Sequence, residues 1–536
     1  MKTLHISLPT LFLFFIILGT IMFRARLINV PLERDEGEYA YIGQLILEGI
    51  PLYTEAYNMK FPGIYFIYAG ILCLFGQTHT AIHFSLLLVN VLSIILLYLF
   101  TRRTFDNWTA TAASAAFALL SMSYHVQGFW ANAEHFILPF VIGANIFLLS
   151  GVRRNKLRFI FLSAILFGCT ALVKQHGAFF GVVGFAVMLL SMWRNKVQDR
   201  SKYWSYSVTF FGGILLPLLL CFCYLVSAGV LEKFYLWTFM YAKEYSSLST
   251  LSGIKFNFIG GFQSLFKFAS LIWIVSGVGF LSLFFHRYSR ESRIFTVGLL
   301  FAGIIALSVG FYFRPHYFVL ILPAAALLFG IGIRSIYKLF APAPSLLLRY
   351  FPPTFTVVVA LLGTLVAHWD VLVQFSIPKV TETVYHMNPF PFSEKIAELI
   401  RKKTTKNDRI AIIGNEPQIL FYSQRRSATS FIYTYSLGED QPLAEQFRTE
   451  MIRQIETSSP QLIVYTNIQP EWYKKPKNWE ELDTWFKCYT QSQYTLTARF
   501  EYLNIRDTLL VTDPVLLAKH PTHLFWISLY ERRTNG

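Results

Sequence analysis

Long apolar runs recur along the first two thirds of the chain, and they constrain the fold more than any other feature. Most of them reach the length of about 17 residues that an α-helix needs to cross the hydrocarbon of a bilayer. Of the 536 residues, 54% are hydrophobic and only 15% are charged. These features predict a polytopic α-helical membrane protein with about eleven transmembrane helices. The predicted spans are 7–23, 80–100, 109–123, 135–151, 158–173, 177–193, 204–229, 263–285, 294–312, 316–333 and 352–368.

One ambiguous segment decides which way the loops face. Phe61 to Gly76 is apolar but short, so it could cross the bilayer or lie at its surface. If it does not cross, and the N-terminus is cytoplasmic, Lys and Arg concentrate in the inner loops, as the positive-inside rule expects. We therefore predict a re-entrant or interfacial segment 61–76, with the C-terminal portion outside. The net charge of +16 then reports topology and gives no reason to expect nucleic acid.

The first outer loop, 29–79, gathers four acids within six positions, Glu33, Asp35, Glu36 and Glu38, at the start of the stretch ERDEGEYAYIGQLILEG. Tyr39, Ile42, Leu45 and Ile46 keep helical spacing on one face, which predicts a short helix lying along the membrane surface. Glu33 and Glu38 are assigned to a solvated face of this loop. An ordinary connecting loop has little reason to gather carboxylates beside a membrane, because anionic headgroups and a low dielectric disfavour them there.

The tail has a different composition and predicts a separate domain. RIAIIG, QLIVYT and HLFWISLYERR have strand character, and FSEKIAELIRKK has helical character. We predict a transmembrane catalytic domain over 1–375 and a soluble α/β extracytoplasmic domain over 390–536. The five cysteines suggest no disulfide framework, and no Cys/His spacing is typical of zinc.

Under this topology, polar residues converge at the outer ends of the spans. Lys174 and Arg314 lie in tight hinges near the membrane boundary, where a partly desolvated phosphate would be strongly attracted. Each residue taken singly is also typical of an interfacial anchor, Glu134 of a helix N-terminal cap, and His176 and His316 of packing or hydrogen bonding. The set comprises Asp35, Glu36, Lys60, Asn132, Glu134, His135, Lys174, Gln175, His176, Lys233, Lys243, Glu244, Arg314 and His316.

These motifs resemble a known family. RDEGEYAYIGQLILEG followed by NMKFPGIYFIYA is similar to the first outer loop of the GT-C membrane glycosyltransferases. The resemblance is closest to glycosyltransferase family 39 and its bacterial relatives, among them the protein O-mannosyltransferases and the lipid A aminoarabinose transferase. WANAEHF, LVKQHGAFF and FRPHYFVLILPAAALL are similar to later segments of that family. The resemblance covers about residues 1–340.

The resemblance implies an inverting transfer of a hexosyl or pentosyl group from a polyprenyl-phosphate donor. The acceptor would be a protein, lipid or glycan on the outer face of a bacterial cytoplasmic membrane. Carried over by position, Asp35 is the essential acid and Glu36 its neighbour, while Lys60, Lys174 and Arg314 contact the donor phosphate. Glu134 stands at a second acidic position. The chain departs from the family in its Asp-Glu-Gly sequence and in Lys-Gln-His, where relatives often have Lys-Gly-Pro.

The chemistry of these residue types points the same way. A carboxylate can take the proton of an acceptor hydroxyl, and cations can stabilise the charge that grows on a departing phosphate. Asp35 is the candidate base, and Lys60, Lys174, Arg314 and His316 are the candidate phosphate ligands. No cofactor is required, although Asp35 and Glu134 offer oxygen ligands for a divalent cation.

Two other functions remain open from the sequence. A transporter or flippase of lipid-linked saccharides would place ionisable residues near span midplanes and contain internal repeats, and neither is evident here. A membrane-anchored binding protein would leave the acidic loop without a role.

Overall fold

The computed structural model describes residues 7–195, 198–386, 388–468, 479–504 and 507–533. Within these residues, nine helices are long and apolar enough to cross a membrane. The predicted spans 109–123 and 158–173 coincide with shorter helices, α5 and α7. The helices of the membrane part are α1 (Leu8–Arg26), α2 (Arg34–Leu47), α3 (Pro62–Phe75), α4 (His79–Thr104), α5 (Asn107–Ser121), α6 (Ala133–Arg154), α7 (Leu157–Val173), α8 (Ala178–Arg194), α9 (Arg200–Ser227), α10 (Leu231–Tyr235), α11 (Ala242–Ser247), α12 (Leu251–Phe285), α13 (Arg290–Ser308), α14 (Leu322–Phe340), α15 (Leu346–Ala367) and α16 (Ile377–Tyr385).

The helices differ in how much of their surface the protein covers. Helices α6 and α14 are mostly buried, whereas α1, α9 and α15 expose most of their apolar side chains. Exposed Leu and Phe side chains are stable only against an apolar solvent, so these peripheral helices face the lipid. Short 3₁₀ or π turns interrupt the helices at 124–126, 175–177, 236–241, 309–311 and 315–321.

The segment between α1 and α4 begins and ends on the same side of the helix bundle. Asp35 lies at the start of α2, next to the C-terminal domain. After α3, which has 14 residues, His79 Nδ1 at the start of α4 lies 2.9 Å from Glu394 Oε1 of the same domain. Helix α3 therefore does not carry the chain to the opposite side.

The C-terminal part forms a six-stranded sheet flanked by helices. The strand order is β2-β1-β3-β6-β4-β5, with parallel pairs β1–β2 and β1–β3 and antiparallel pairs elsewhere. Ile412 pairs with Val464, which pairs with Leu529, so a row of buried apolar side chains crosses the three central strands. The elements are α17 (Ser393–Lys403), β1 (Arg409–Ile413), α18 (Pro417–Ser423), β2 (Arg426–Ser427), α19 (Tyr435–Gly438), α20 (Ala444–Ser458), β3 (Leu462–Asn467), α21 (Trp479–Gln493), β4 (Tyr494–Tyr502), β5 (Thr508–Val511), α22 (Pro514–Leu517) and β6 (Trp526–Arg532).

The C-terminal domain packs directly on α2. A Cβ on Gly37 would lie 2.4 Å from Cβ of Gln418, so only glycine allows this approach. The hydroxyl of Tyr41 accepts a hydrogen bond of 2.8 Å from the backbone N–H of Ser427. Helix α2 is consequently buried on all sides over most of its length. The predicted short helix is present, but the prediction that one of its faces is solvated is wrong, because the helical periodicity could not show that a distant domain covers the polar side.

Candidate active site

Helix α2 begins with a reciprocal cap that fixes the position of Asp35. The Glu33 carboxylate accepts a hydrogen bond of 3.2 Å from the N–H of Glu36, and the Glu36 carboxylate accepts one of 3.1 Å from the N–H of Glu33. This capping box satisfies backbone donors that the first helical turn leaves free. Asp35 thus lies in the first turn, where the helix dipole favours a negative charge.

Lys60 joins Asp35 to a second acid, Glu38. Its Nζ lies 3.0 Å from Oδ1 of Asp35 and 2.7 Å from Oε2 of Glu38. The other oxygen of Glu38, Oε1, accepts a hydrogen bond of 2.6 Å from the Tyr65 hydroxyl. Glu38 is fully buried, so its assignment to a solvated face is wrong; once α2 is covered, Lys60 supplies the charge partner that a buried carboxylate needs. The Lys60 carbonyl accepts a hydrogen bond of 2.7 Å from Tyr53, which fixes the backbone there.

Burial and mutual charge together lower the pKa of Asp35 and raise the pKa values of Glu38 and Lys60. Burial alone would raise the pKa of Asp35, but the charge of Lys60, with smaller contributions from His316 and Lys174, outweighs it and holds the pKa well below the usual value. Burial raises the pKa of Glu38 despite the opposing effect of Lys60. Burial also opposes the charge of Lys60, yet Asp35 and Glu38 outweigh it and raise its pKa. Asp35 is therefore ionised at neutral pH.

Glu36 lies behind Asp35 and does not line the cavity described below. Its Oε1 atom accepts a hydrogen bond of 2.5 Å from the N–H of Ala131 and lies 2.9 Å from Nε2 of His83. The side chain is fully buried. These contacts hold α2 against α4 and the loop before α6, which is a structural role.

A second acid-cation group lies at the start of α6, at the end of α7 and just before α14. Lys174 donates a hydrogen bond to Oε1 of Glu134, and Nε2 of His316 lies 4.0 Å from the same oxygen. Gln127 Oε1 lies 2.6 Å from Nδ1 of His316, and since the amide oxygen can only accept, this contact assigns the proton to Nδ1. Lys174 also lies over the ring of Tyr317, 4.4 Å from its centroid.

Arg314 differs from both lysines in its partners. Its guanidinium lies over the ring of Tyr312, 5.4 Å from the centroid, and no carboxylate of the described residues is within 4.0 Å. Lys60 and Lys174 are already neutralised by acids, whereas Arg314 keeps its full charge for an anion. Arginine can also bind a phosphate through two parallel hydrogen bonds.

These residues meet in a cavity of about 930 Å³ between the membrane part and the C-terminal domain. Its volume is in the range of sites that hold an organic ligand. The membrane part contributes the charged residues, and the C-terminal domain contributes a polar and aromatic wall. The charged and polar lining residues include Asp35, Lys60, Gln127, Lys174, Gln175, His176, Lys243, Arg314, His316, Asn415, Tyr433, Tyr435 and Glu439.

The structure brings most of the sequence-predicted residues to this cavity. Asp35, Lys60, Lys174, Arg314 and His316 line it, whereas Glu134 is connected to it through Lys174 and Glu36 does not line it. Lys233 instead donates a hydrogen bond of 3.0 Å to Tyr57, away from the charged group. The residues that the sequence analysis missed are Glu38, Gln127, Tyr433, Tyr435 and Glu439.

The acids of this site offer few ligands for a metal ion. No group of three or more His, Cys, Asp or Glu side chains that could hold a metal occurs among the described residues. The two candidate ligands, Asp35 and Glu134, are each paired with a lysine ammonium group. This donor set, with each carboxylate paired to an ammonium group, does not fit a divalent cation.

Comparison with known proteins identifies the fold. Residues 59–220 match the family model described as dolichyl-phosphate-mannose-protein mannosyltransferase. A search of curated protein sequences finds no match to this chain. The fold is similar to that of ArnT from Cupriavidus metallidurans bound to undecaprenyl phosphate, with a TM-score of 0.60 and 16% identity over 96% of this chain and 100% of that one.

A second solved structure shares the fold. The oligosaccharyltransferase of Archaeoglobus fulgidus, tethered to an acceptor peptide that contains the NVT sequon, matches with a TM-score of 0.55 and 13% identity over 94% of this chain and 74% of that one. Both are GT-C glycosyltransferases. The resemblance that the sequence motifs indicate is therefore confirmed: this is an integral membrane protein with the GT-C fold and a small C-terminal sheet domain.

Proposed function

We propose that the chain is an inverting glycosyltransferase that moves a sugar from a polyprenyl-phosphate donor to an acceptor hydroxyl. The observation that carries this proposal is that one cavity holds both an ionised Asp35 and Arg314, a cation with no carboxylate partner among the described residues. The first is what a general base needs, and the second is what a phosphate leaving group needs.

The reaction follows from these two groups. Asp35 accepts the proton of the acceptor hydroxyl while that oxygen forms a bond to the anomeric carbon. The bond between the anomeric carbon and the phosphate oxygen breaks, and the electron pair stays on the phosphate. Arg314 stabilises the charge that develops there, whereas Nε2 of His316 carries no proton when the proton lies on Nδ1 and so donates no hydrogen bond to the phosphate. Because a single displacement occurs, the anomeric configuration inverts.

Lys60 and Lys174 support this reaction in different ways. Lys60 keeps Asp35 ionised and holds its carboxylate in place, so we assign it a positioning role. Lys174 shares Glu134 with His316, and an arriving phosphate would compete with Glu134 for the Lys174 ammonium group. The family match and the undecaprenyl phosphate bound to ArnT support a polyprenyl-phosphate donor.

We further propose that the cavity faces the outside of a bacterial cytoplasmic membrane. The loops on the side opposite the cavity hold most of the loop Lys and Arg residues, as the cytoplasmic side should. The acceptor, whether protein, lipid or glycan, would then enter beneath the C-terminal domain.

Turnover by purified protein tests the proposal. Detergent-solubilised protein is incubated with a panel of polyprenyl-phosphate sugars, with and without candidate acceptors, and released polyprenyl phosphate is followed by mass spectrometry. Release is expected with one donor class. Movement of the intact donor across liposomes without release would instead support the transporter or flippase alternative.

A further inference from the structure

The C-terminal domain contributes Asn415 and one short segment, Tyr433 to Glu439, to the cavity. The Tyr433 hydroxyl donates a hydrogen bond of 3.1 Å to the Arg34 carbonyl and lies 3.5 Å from Oδ1 of Asp35. The side chain of Asn415 fixes the segment, because its Oδ1 accepts hydrogen bonds of 2.8 Å and 3.1 Å from the N–H groups of Thr434 and Tyr435. This wall is therefore ordered beside the proposed base.

An aromatic path connects this segment to the proposed phosphate site. The Tyr435 ring centroid lies 5.1 Å from that of Tyr433 and 6.3 Å from that of Tyr245. Tyr245 stacks on Tyr312, with centroids 4.7 Å apart, and Tyr312 lies under the guanidinium of Arg314. One side of the cavity thus runs from the cation to the base over tyrosine rings.

Two polar groups on this wall remain available to a ligand. The hydroxyl of Tyr435 makes no hydrogen bond to any described residue. Glu439 accepts a hydrogen bond of 2.6 Å from the Tyr241 hydroxyl through Oε2, while Oε1 has no partner in the described part of the chain. Burial raises the pKa of Glu439 to about 7, against the opposing hydrogen bond of Tyr241, so this carboxyl can donate or accept near neutral pH.

We propose that Tyr435 and Glu439 form the subsite for the sugar ring of the donor. This inference rests on the proposed function, because a phosphate bound at Arg314 and a base at Asp35 confine the anomeric carbon to the space between them. The attached ring must then lie against the wall that joins those two residues. A hydroxylated ring offers C–H faces to Tyr435 and a hydroxyl group to Glu439, the combination of apolar contact and directed polar contact that ligand sites use.

The proposal assigns donor-sugar selection to the C-terminal domain and not to the membrane helices. The charged groups from the helices would contact the phosphate and the reacting atoms that all such donors share. The residues that contact the variable part of the donor would come from the segment 433–439 of the C-terminal domain, which follows all of these charged groups in the chain.

Binding of two lipid probes separates the sugar contact from the phosphate contact. Affinities for polyprenyl phosphate and for the polyprenyl-phosphate sugar that the wild type turns over are measured on purified protein. We expect Glu439→Gln and Tyr435→Ala to weaken binding of the sugar-bearing lipid about fivefold to tenfold, the loss of one modest contact. Binding of the plain lipid should be unchanged.

Matched controls and a conservative variant complete the test. Glu445→Gln, an exposed acid on the same domain, and Tyr235→Ala, an exposed tyrosine of α10, should leave both affinities unchanged. Glu439→Gln is isosteric and so tests the subsite even if Tyr435→Ala unfolds.

The possible outcomes separate this inference from the proposed function. Equal loss of affinity for both lipids, or no loss for either, would overturn the subsite while leaving the polyprenyl-phosphate site intact. A raised KM for the acceptor with unchanged binding of both lipids would also overturn it and assign the wall to the acceptor. Failure of the wild type to bind plain polyprenyl phosphate would instead refute the proposed function itself.

Discussion

Lys60 lies with its Nζ 3.0 Å from Oδ1 of Asp35, and its charge outweighs the burial that would otherwise raise the pKa of this carboxylate. The same ammonium group neutralises Glu38, which is fully buried. Lys60 therefore keeps the proposed base ionised and also lowers the free-energy cost of burying Glu38.

Replacing Lys60 should move the pH dependence of the reaction. In Lys60→Met, only the smaller effects of His316 and Lys174 still oppose burial, so the pKa of Asp35 rises and its carboxylate becomes protonated at a higher pH. The acidic limb of the pH-rate profile should therefore shift towards neutral pH. The profile is measured with the donor that the wild type turns over.

The control for Lys60→Met addresses the unpaired Glu38. Removing one partner of a buried ion pair costs about 3–5 kcal/mol. The double variant Lys60→Met/Glu38→Gln removes that unpaired charge and should fold better while keeping the shifted profile. If the folded double variant kept the wild-type pH-rate profile, the role of Lys60 in keeping Asp35 ionised would be contradicted.

Arg314 should determine affinity for the lipid phosphate. Arg314→Gln removes a cation that has no carboxylate partner among the described residues, and a hydrogen bond to a charged group contributes about 1.5–3 kcal/mol. We expect the Kd for polyprenyl phosphate to rise about tenfold or more, with Arg314→Lys between the two. Arg287→Gln, an exposed arginine between α12 and α13, is the matched control. Equal affinities of Arg314→Gln and the wild type would show that the phosphate binds elsewhere.

Glu36 should matter for stability and not for the pH dependence. Glu36→Gln weakens the contacts to the N–H of Ala131 and to His83, and disturbing such buried polar contacts costs about 1–3 kcal/mol. The Tm should fall, while the pH-rate profile of the folded fraction keeps its wild-type shape. Glu48→Gln on the same helix breaks only a surface pair with Arg426 and should change stability by less than about 0.5 kcal/mol. A wild-type Tm for Glu36→Gln would count against the structural role.

Gly37 should control docking of the C-terminal domain on α2. In Gly37→Ala the new Cβ meets backbone and Cβ atoms of Gln418, so the two elements must separate. Lower Tm and faster proteolysis of the C-terminal domain are expected. Gly70→Ala on α3 meets nothing within 4 Å and should be neutral or stabilising by up to about 1 kcal/mol. Equal behaviour of the two alanine variants would show that the close approach is not required.

The sequence predicts the membrane helices, and the charged residues at their outer ends, because both leave local signals. Apolar runs mark the spans, and charge in a tight hinge marks Lys174 and Arg314. Glu38 was missed because helical periodicity shows which face is polar but not what covers it. Tyr433, Tyr435 and Glu439 reach the cavity only through tertiary packing; their one local signal is the alternation of tyrosines in FIYTYS, which alone resembles a strand.

The sequence also could not predict which opposite charges form pairs. Lys60 and Lys174 were both predicted as phosphate ligands, yet the structure gives each a carboxylate partner. Spacing along the chain places all these groups on one side of the membrane. It does not say which cation remains without an acid, and that distinction separates Arg314 from the two lysines.

The most direct test of the account compares wild type with Asp35→Asn in a single-turnover reaction. Purified protein, the accepted polyprenyl-phosphate sugar and acceptor are mixed, and transferred sugar and released polyprenyl phosphate are quantified by mass spectrometry. Asp483→Asn, in a surface pair with Lys487, controls for the substitution itself. We expect Asp35→Asn to fold and to bind the lipid, but to transfer the sugar at least about a hundredfold more slowly than the wild type, because that is the contribution of a general base. Wild-type transfer by folded Asp35→Asn would contradict it.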